Sequence, residues 1–275
     1  MKRFFWIGLF FAVILFFSTD LFALNFQIDQ AKVRVKMPIG WSDGGVVNVE
    51  NRDKDPIRIR VYAADWVYSG QDGSKNFMPA GTLPNSAVDW IKFYPADFTI
   101  PGLGKQKVNY VVGIPQGASG GHYAVLFFEV EVGQVWDNTK GVNVKVYNRI
   151  GSLFSVEPEE SIKREAKVSD FKIKESSGII EAEANFENIG NIDIPAKGTI
   201  DIINDEGLVF TRGKFDEAYT MPGDKAKIYV KIPSVQFSQG KYDVILTVDL
   251  EGGILVKEYQ MIISGGKIAE VKEIE

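Results

Sequence analysis

The residues whose types and spacing could do chemistry fall in one short stretch. Gly117-Ala-Ser-Gly-Gly121 matches the G-x-S-x-G pattern of serine hydrolases, and His122, the one histidine of the chain, follows at once. A nucleophile elbow needs a strand before its serine and a helix after it. Here Ser119 falls in a glycine-rich turn, and "HYAVLFFEVEV" behind it alternates as a strand, the reverse of that context. A triad histidine also arrives from elsewhere in the chain and meets its serine through space. No catalytic residue is therefore expected, and the chain reads as non-enzymatic. Metal binding has little to work with, because zero cysteines and one histidine leave only scattered carboxylates. "NRDKDP" and "QDGSKN" look like calcium loops but lack the full ligand spacing with a closing glutamate, so they read as turns. No metal and no cofactor are expected.

The elements that hold these residues begin after an export signal. Lys2 and Arg3 precede an apolar run from Phe4 to Phe17 and the short segment Ser18 to Ala23, the layout of a secretory signal peptide over residues 1–23. The run is shorter than the ~20 residues of a spanning helix, and no second apolar segment follows, so no membrane insertion is expected after cleavage. The absence of cysteine excludes a disulfide framework, and stability must come from packed cores. A net charge of −5 with no dense basic run gives no reason to expect a nucleic-acid partner.

Beyond residue 24 the apolar residues follow a period of two, as in Ile57-Arg-Ile-Arg-Val-Tyr and Lys227-Ile-Tyr-Val-Lys-Ile, with Gly, Pro, Asn and Asp between the runs. The chain also repeats itself. "IPQGASGGHYAVLFFEVEVG" lines up with "IPSVQFSQGKYDVILTVDLEG", placing Tyr123 on Tyr242, and Pro101-Gly102 matches Pro222-Gly223. Further back Glu50-Asn51 matches Glu187-Asn188, but the first unit has more residues between these landmarks. It therefore carries an insertion, "DWVYSGQDGSKNFMPAGTLPNSAVDWIKFYP". The expected fold is all-β, two tandem immunoglobulin-like β-sandwich domains over 24–155 and 169–264. Residues 156–168, "VEPEESIKREAKV", lack strand alternation and read as the linker, and 265–275 as a frayed charged tail.

In such sandwiches a tyrosine near the start of the sixth strand pins the preceding loop, and Tyr123 and Tyr242 fit that structural role. Period two then places Tyr123, Val125 and Phe127 inward, and His122 outward like Lys241. Ala124, Leu126 and Phe128 also face outward on this reading. A cover is expected from the insertion, with Trp66, Phe77, Met78 and Trp90, or from a partner surface.

The first unit as a whole, through "VVNVENRDKDPIRIRVYAADW", "NSAVDWIKFYPADFTIPGLGKQKVNYVVGIPQGA" and "GGHYAVLFFEV", resembles the periplasmic PapD-like family, relatives of the pilus assembly chaperones. The resemblance covers about half of the mature chain and implies periplasmic localisation. It also implies binding by strand addition, in which an edge strand of alternating apolar residues grips a subunit and basic residues hold its terminal carboxylate. Periodicity and charge alone single out Val142, Val144 and Val146 for the edge, with Lys140 just before them and Arg34 in the first strand as basic anchors. An ordinary sandwich edge is the plainer alternative. The second unit is similar to a generic cell-surface sandwich. The two-unit order is similar to the exported WxL-interacting proteins of Gram-positive bacteria, whose C-terminal membrane segment is not expected here. The expected function is chaperone-like assembly of an exported or surface protein subunit by edge-strand pairing. A structural surface or adhesion component and a cell-wall-binding module are the alternatives.

Overall fold

The computed structural model describes residues 26–137, 139–233 and 237–274, so the expected signal peptide lies outside the described residues. The period-two pattern is realised as strands. In Lys225–Pro233 every second residue is buried, and in Lys105–Gly113 the inward set is Val108, Tyr110 and Val112. The result is two β-sandwiches in tandem.

The first unit is built from ten strands: β1 (Phe26–Ile28), β2 (Lys32–Met37), β3 (Ser42–Asn51), β4 (Ile57–Tyr68), β5 (Lys75–Met78), β6 (Ile91–Tyr94), β7 (Asp97–Ile100), β8 (Lys105–Gly113), β9 (His122–Asp137) and β10 (Val142–Pro158). One sheet has the order β1-β3-β8-β6. The other runs β2-β10-β9-β4-β5, with β7 also on β4. Between them lies a core that includes Val47, Val49, Ile59, Val108, Leu126, Phe128 and Phe154.

The second unit continues with β11 (Ala166–Ser176), β12 (Ile179–Asn188), β13 (Ile194–Ile203), β14 (Val209–Thr220), β15 (Lys225–Pro233), β16 (Gly240–Asp249), β17 (Ile254–Ser264) and β18 (Lys267–Glu273). Its sheets are β11-β12-β15 and β14-β13-β16-β17-β18, packed over Ile180, Phe186, Ile200, Ile202, Val244, Leu246 and Met261.

The internal repeat has a physical counterpart in its asparagines. Asn51 is fully buried; its amide donates to the Asp55 carbonyl at 2.8 Å and the Pro101 carbonyl at 3.1 Å, and its oxygen accepts from the Asp53 N–H at 3.0 Å. Asn188 does the same four and two residues on, donating to Ile192 O at 2.8 Å and Thr220 O at 3.3 Å and accepting from Gly190 N at 3.0 Å. In each unit one buried amide ties a turn to a more distant segment of the same unit.

Three expectations need correction. The segment between the last strand of the first unit and the first of the second is Glu159 to Glu165, narrower than 156–168. Val156 and Glu157 are buried in β10, and Val168 is buried in β11. The charged end is not frayed: β18 pairs antiparallel with β17, from Tyr259↔Glu273 to Ser264↔Lys267. The two faces of β9 are also exchanged. Ala124, Leu126, Phe128 and Val130 enter the sandwich core, while Tyr123, Val125 and Phe127 face the other way, under Trp66 and Met221 of the second unit. The insertion does supply cover, on both sides. Phe77 meets Phe127 at 4.9 Å between ring centroids, and Trp90 meets His122 at 4.0 Å, so His122 shares the core-side face.

The two tyrosines divide their duties. Tyr242 donates to the Ser238 carbonyl at 3.3 Å and accepts from the Ser238 N–H at 3.1 Å, pinning its own loop. Tyr123 reaches across to the second unit instead, as described below. Tyr242→Phe removes one such anchor and is expected to cost about 1 kcal/mol, read as a lowered midpoint in urea unfolding.

Candidate functional site: a β-ribbon leading into an interdomain cleft

β4 pairs with β9 only along Val125 to Glu129, and β2 pairs with β10 only along Leu153 to Pro158. Beyond those limits β9 and β10 pair with each other alone among the described residues, as a two-stranded ribbon that leaves the sandwich. From Val142 to Ser152 the side of β10 away from β9 is an open edge. Side chains alternate along β10, so Val142, Val144 and Val146 continue the face that carries Phe154 and Val156 into the core. A bulge at Val146/Tyr147 shifts β9 by one residue, which puts Val135 opposite Val144 on the same face. The opposing sheet does not extend this far. Val144 is 43% exposed and Val135 59%.

Where β2 takes over the edge, the ribbon enters a cavity of about 440 Å³ between the units, lined by Lys32, Arg34, Lys36, Trp66, Tyr68, Lys75, Leu153, Ser155, Asp193 and Tyr219 among others. Its floor is an ionic cluster. Arg34 contacts Glu157 at 3.1 Å, Glu251 at 2.9 Å and Asp193 at 3.7 Å. Glu157 is fully buried and is also held by Arg164 at 2.6 Å. Asp193 accepts from the Tyr123 hydroxyl at 3.1 Å and the Ser155 hydroxyl at 3.4 Å, and its own N–H donates to Tyr123 Oη at 2.7 Å. Burial pushes the Asp193 carboxyl above the ordinary range against the pull of Arg34, and burial beside Asp193 pushes the Tyr123 phenol up.

The hinge is tied down from both sides. Asn191 donates to the Ser161 carbonyl at 2.7 Å and accepts from the Lys163 N–H at 2.7 Å, while Gly121 N–H donates to the Asn191 carbonyl at 2.8 Å. The tip of the β4–β5 hairpin also crosses over. The Gln71 side chain accepts from Lys227 N–H at 3.0 Å and donates to Lys227 O at 3.3 Å, taking the place of a strand residue on the outer edge of β15.

Four cations, Lys32, Arg34, Lys36 and Lys75, and three carboxylates, Asp193, Glu217 and Glu251, line the cleft. Lys75 donates to the Gly73 carbonyl at 2.7 Å and lies 5.5 Å from the Tyr68 ring centre. Its pKa is pulled down by burial and then by the Lys32 ammonium. Neither Lys32 nor Lys75 has a carboxylate within ion-pair distance among the described residues. Lys32 and Lys75 are thus the cations of the lining that no carboxylate pairs among the described residues, which leaves them able to meet an anion from outside.

The residues singled out from sequence are therefore not all together. Val142, Val144 and Val146 lie on the ribbon, and Arg34 at its base opposite Ser155. Lys140 sits in the turn at the far tip, roughly 50 Å of strand away at ~3.3 Å per residue, so the two basic anchors are not brought together. Arg34 is already paired with three carboxylates. Sequence reasoning missed Lys32, Lys75, Tyr68, Glu157 and Asp193. Lys75 belongs to "QDGSKN", which reads as a plain turn, and the acidic partners come from distant segments. Ser119 is exposed in a turn, and His122 donates through Nδ1 to the Gly120 carbonyl at 3.1 Å. Burial lowers its pKa.

No protein-family model matches the chain, and no curated protein matches it in sequence. Among solved structures it is similar to the class 5 fimbriae chaperone CfaA, with 15% identity and a TM-score of 0.48 over 85% of this chain and 98% of that one. It is similar to a chain of the chaperone–tip adhesin complex of CFA/I fimbriae, with 13% identity and a TM-score of 0.46 over 85% and 98%. A third is a chain from the complex of the Salmonella enterica SafA pilin with the SafB chaperone, with 11% identity and a TM-score of 0.39 over 91% and 96%. Residue roles rest on the geometry above.

Proposed function

We propose that this protein is a non-enzymatic periplasmic assembly factor that holds an exported surface subunit by adding the subunit's terminal strand to the open edge of β10. The observation that carries this reading is the continuity of an open strand edge with the cleft that holds Lys32 and Lys75: the edge, with Val142, Val144 and Val146 on one face ahead of Asn148, ends where β2 begins at Lys32. Backbone hydrogen bonds along the edge supply affinity, and the valine stripe supplies pockets for every second guest side chain. β2 itself runs parallel to β10. A guest strand in the same direction finishes against the start of β2, and its terminal carboxylate arrives at Lys32 and Lys75. The reverse direction brings a terminal ammonium to the same two cations, which repel it. Charge thereby selects one orientation of an edge that backbone pairing alone leaves open to both.

Co-purification from periplasm with wild type and Val144→Asp tests the reading. Val144 is exposed, so the substitution is expected to move stability by no more than about 0.5 kcal/mol. Against a paired strand it buries an uncompensated carboxylate. A specific exported subunit is expected to come down with the wild type and to be lost with the variant at unchanged melting temperature. Equal recovery by both proteins removes the edge from the mechanism and leaves a structural or wall-binding role.

A further inference from the structure

A carboxylate between Lys32 and Lys75 occupies only the mouth of the cleft. The cavity behind it measures about 440 Å³, within the ~300–1,000 Å³ of small-ligand pockets. Its lining comes from both units and is mixed: the rings of Tyr68 and Tyr219 stand among Lys32, Lys36, Lys75, Glu217 and Glu251, with Trp66 buried behind them. Trp66 meets Tyr68 edge-on at 5.2 Å, and Tyr68 meets Tyr219 of the second unit at 5.1 Å. Leu153 and Pro195 complete the apolar lining. The polar handles of these rings are engaged elsewhere: the Trp66 indole N–H donates to the Ala124 carbonyl at 3.0 Å and the Tyr68 hydroxyl to Asp193 at 3.4 Å. The rings of Tyr68 and Tyr219 thus offer contact surface within a lining that is otherwise largely charged.

The geometry points to a second recognition element in this cleft: it takes the side chain of the guest strand's final residue and selects an aromatic one. This rests on the proposed anchoring of the guest's terminal carboxylate. Leu153 and Ser155 line the cavity, so odd-numbered positions of β10 face it, while the valine stripe occupies the even-numbered face. A last guest residue opposite Gly151 therefore turns its side chain away from the valines and toward Tyr68 and Tyr219, with its carboxylate following to Lys32 and Lys75. Rings at centroid spacings of ~4.5–7 Å gain offset or edge-to-face contacts that an aliphatic methyl does not. Charged side chains are disfavoured by the same walls. Glu217 and Glu251 oppose an acidic residue, and Lys32, Lys36 and Lys75 oppose a basic one.

The test uses three peptides with an alternating valine and threonine sequence, long enough to span Val142 to Gly151, titrated into the full mature chain by calorimetry. One ends in phenylalanine with a free carboxylate, one in alanine with a free carboxylate, and one in phenylalanine amide. The phenylalanine acid is expected to bind at least about tenfold more tightly than the alanine acid, and the preference is expected to vanish in Tyr68→Ala. Equal affinity of the two acids, with the amide weaker than both, overturns the aromatic pocket and leaves the carboxylate anchor standing. Equal affinity of acid and amide overturns the anchor, as does the failure of all three to bind, and the pocket falls with it. The peptide series is read on the wild type, so the result does not depend on the variant folding.

Discussion

Glu157→Ala is expected to lower unfolding stability by about 3–5 kcal/mol, the range for breaking a buried ion pair from one side. Glu157 has no exposed surface, and its two oxygens are shared between Arg164 at 2.6 Å, Arg34 at 3.1 Å and Lys36 at 3.9 Å. Removing it leaves the Arg164 guanidinium, whose side chain is 11% exposed, beside a cavity without an anion. The Arg164 Nε already lacks a hydrogen-bond partner, so little redundancy is left. Arg34 loses one of three carboxylates but keeps Glu251 and Asp193. The damage therefore falls on the joint, where β10 leaves the first unit and Arg164 lies in the connection to the second. Urea unfolding followed by tryptophan fluorescence reads the loss. A change below about 1 kcal/mol means that water solvates Arg164 in place of Glu157, and that the cluster does not brace the joint.

Lys32→Glu combined with Lys75→Glu is expected to weaken a guest with a free terminal carboxylate by at least about tenfold, since reversing one exposed and one half-buried cation turns attraction into repulsion. The control is chemical. A guest amidated at its C-terminus already lacks the anion, so it is expected to bind wild type weakly and the double variant no worse. A comparable loss for amide and acid indicates that the substitutions damaged the cleft as a whole. No loss for the acid removes both lysines from the anchor. Surface attraction is screened within ~8 Å at physiological ionic strength, so an effect that survives added salt identifies direct contact at the cleft.

Much of this molecule is legible in its sequence because a half-buried strand writes its burial directly into a period of two. β15 and β8 are read correctly for that reason, and the two asparagines mark equivalent corners. β9 defeats the same rule, since Tyr123 to Val130 is apolar on both faces. Alternation identifies such a strand but cannot say which face meets the opposing sheet. That is decided by residues far away, Met221 and Trp66 on one side and the first unit's core on the other. The sequence of β18 reads as a frayed tail because its side chains are charged. An edge strand needs only backbone partners, and charges on an edge discourage further pairing. The site was half visible. The valine stripe is local and periodic, whereas the meeting of Lys32 with Lys75 depends on folding the insertion back along β4, which no local pattern announces.

Gln71 bears on which backbone edge a passing strand can reach. A protein that recognises bare strand edges has to distinguish the edge it offers from the edges it merely has, including its own sisters in a crowded compartment. By occupying the Lys227 backbone N–H and carbonyl, the Gln71 amide closes one such edge of the second unit with the chain's own side chain. The same hairpin carries Tyr68 and Lys75 to the cleft, so on the proposed reading the segment that lines the guest site also engages a backbone edge of the second unit. On the proposed reading, the Lys227 backbone groups are thereby withdrawn from a passing strand, while the edge of β10 on the ribbon stays open to a guest.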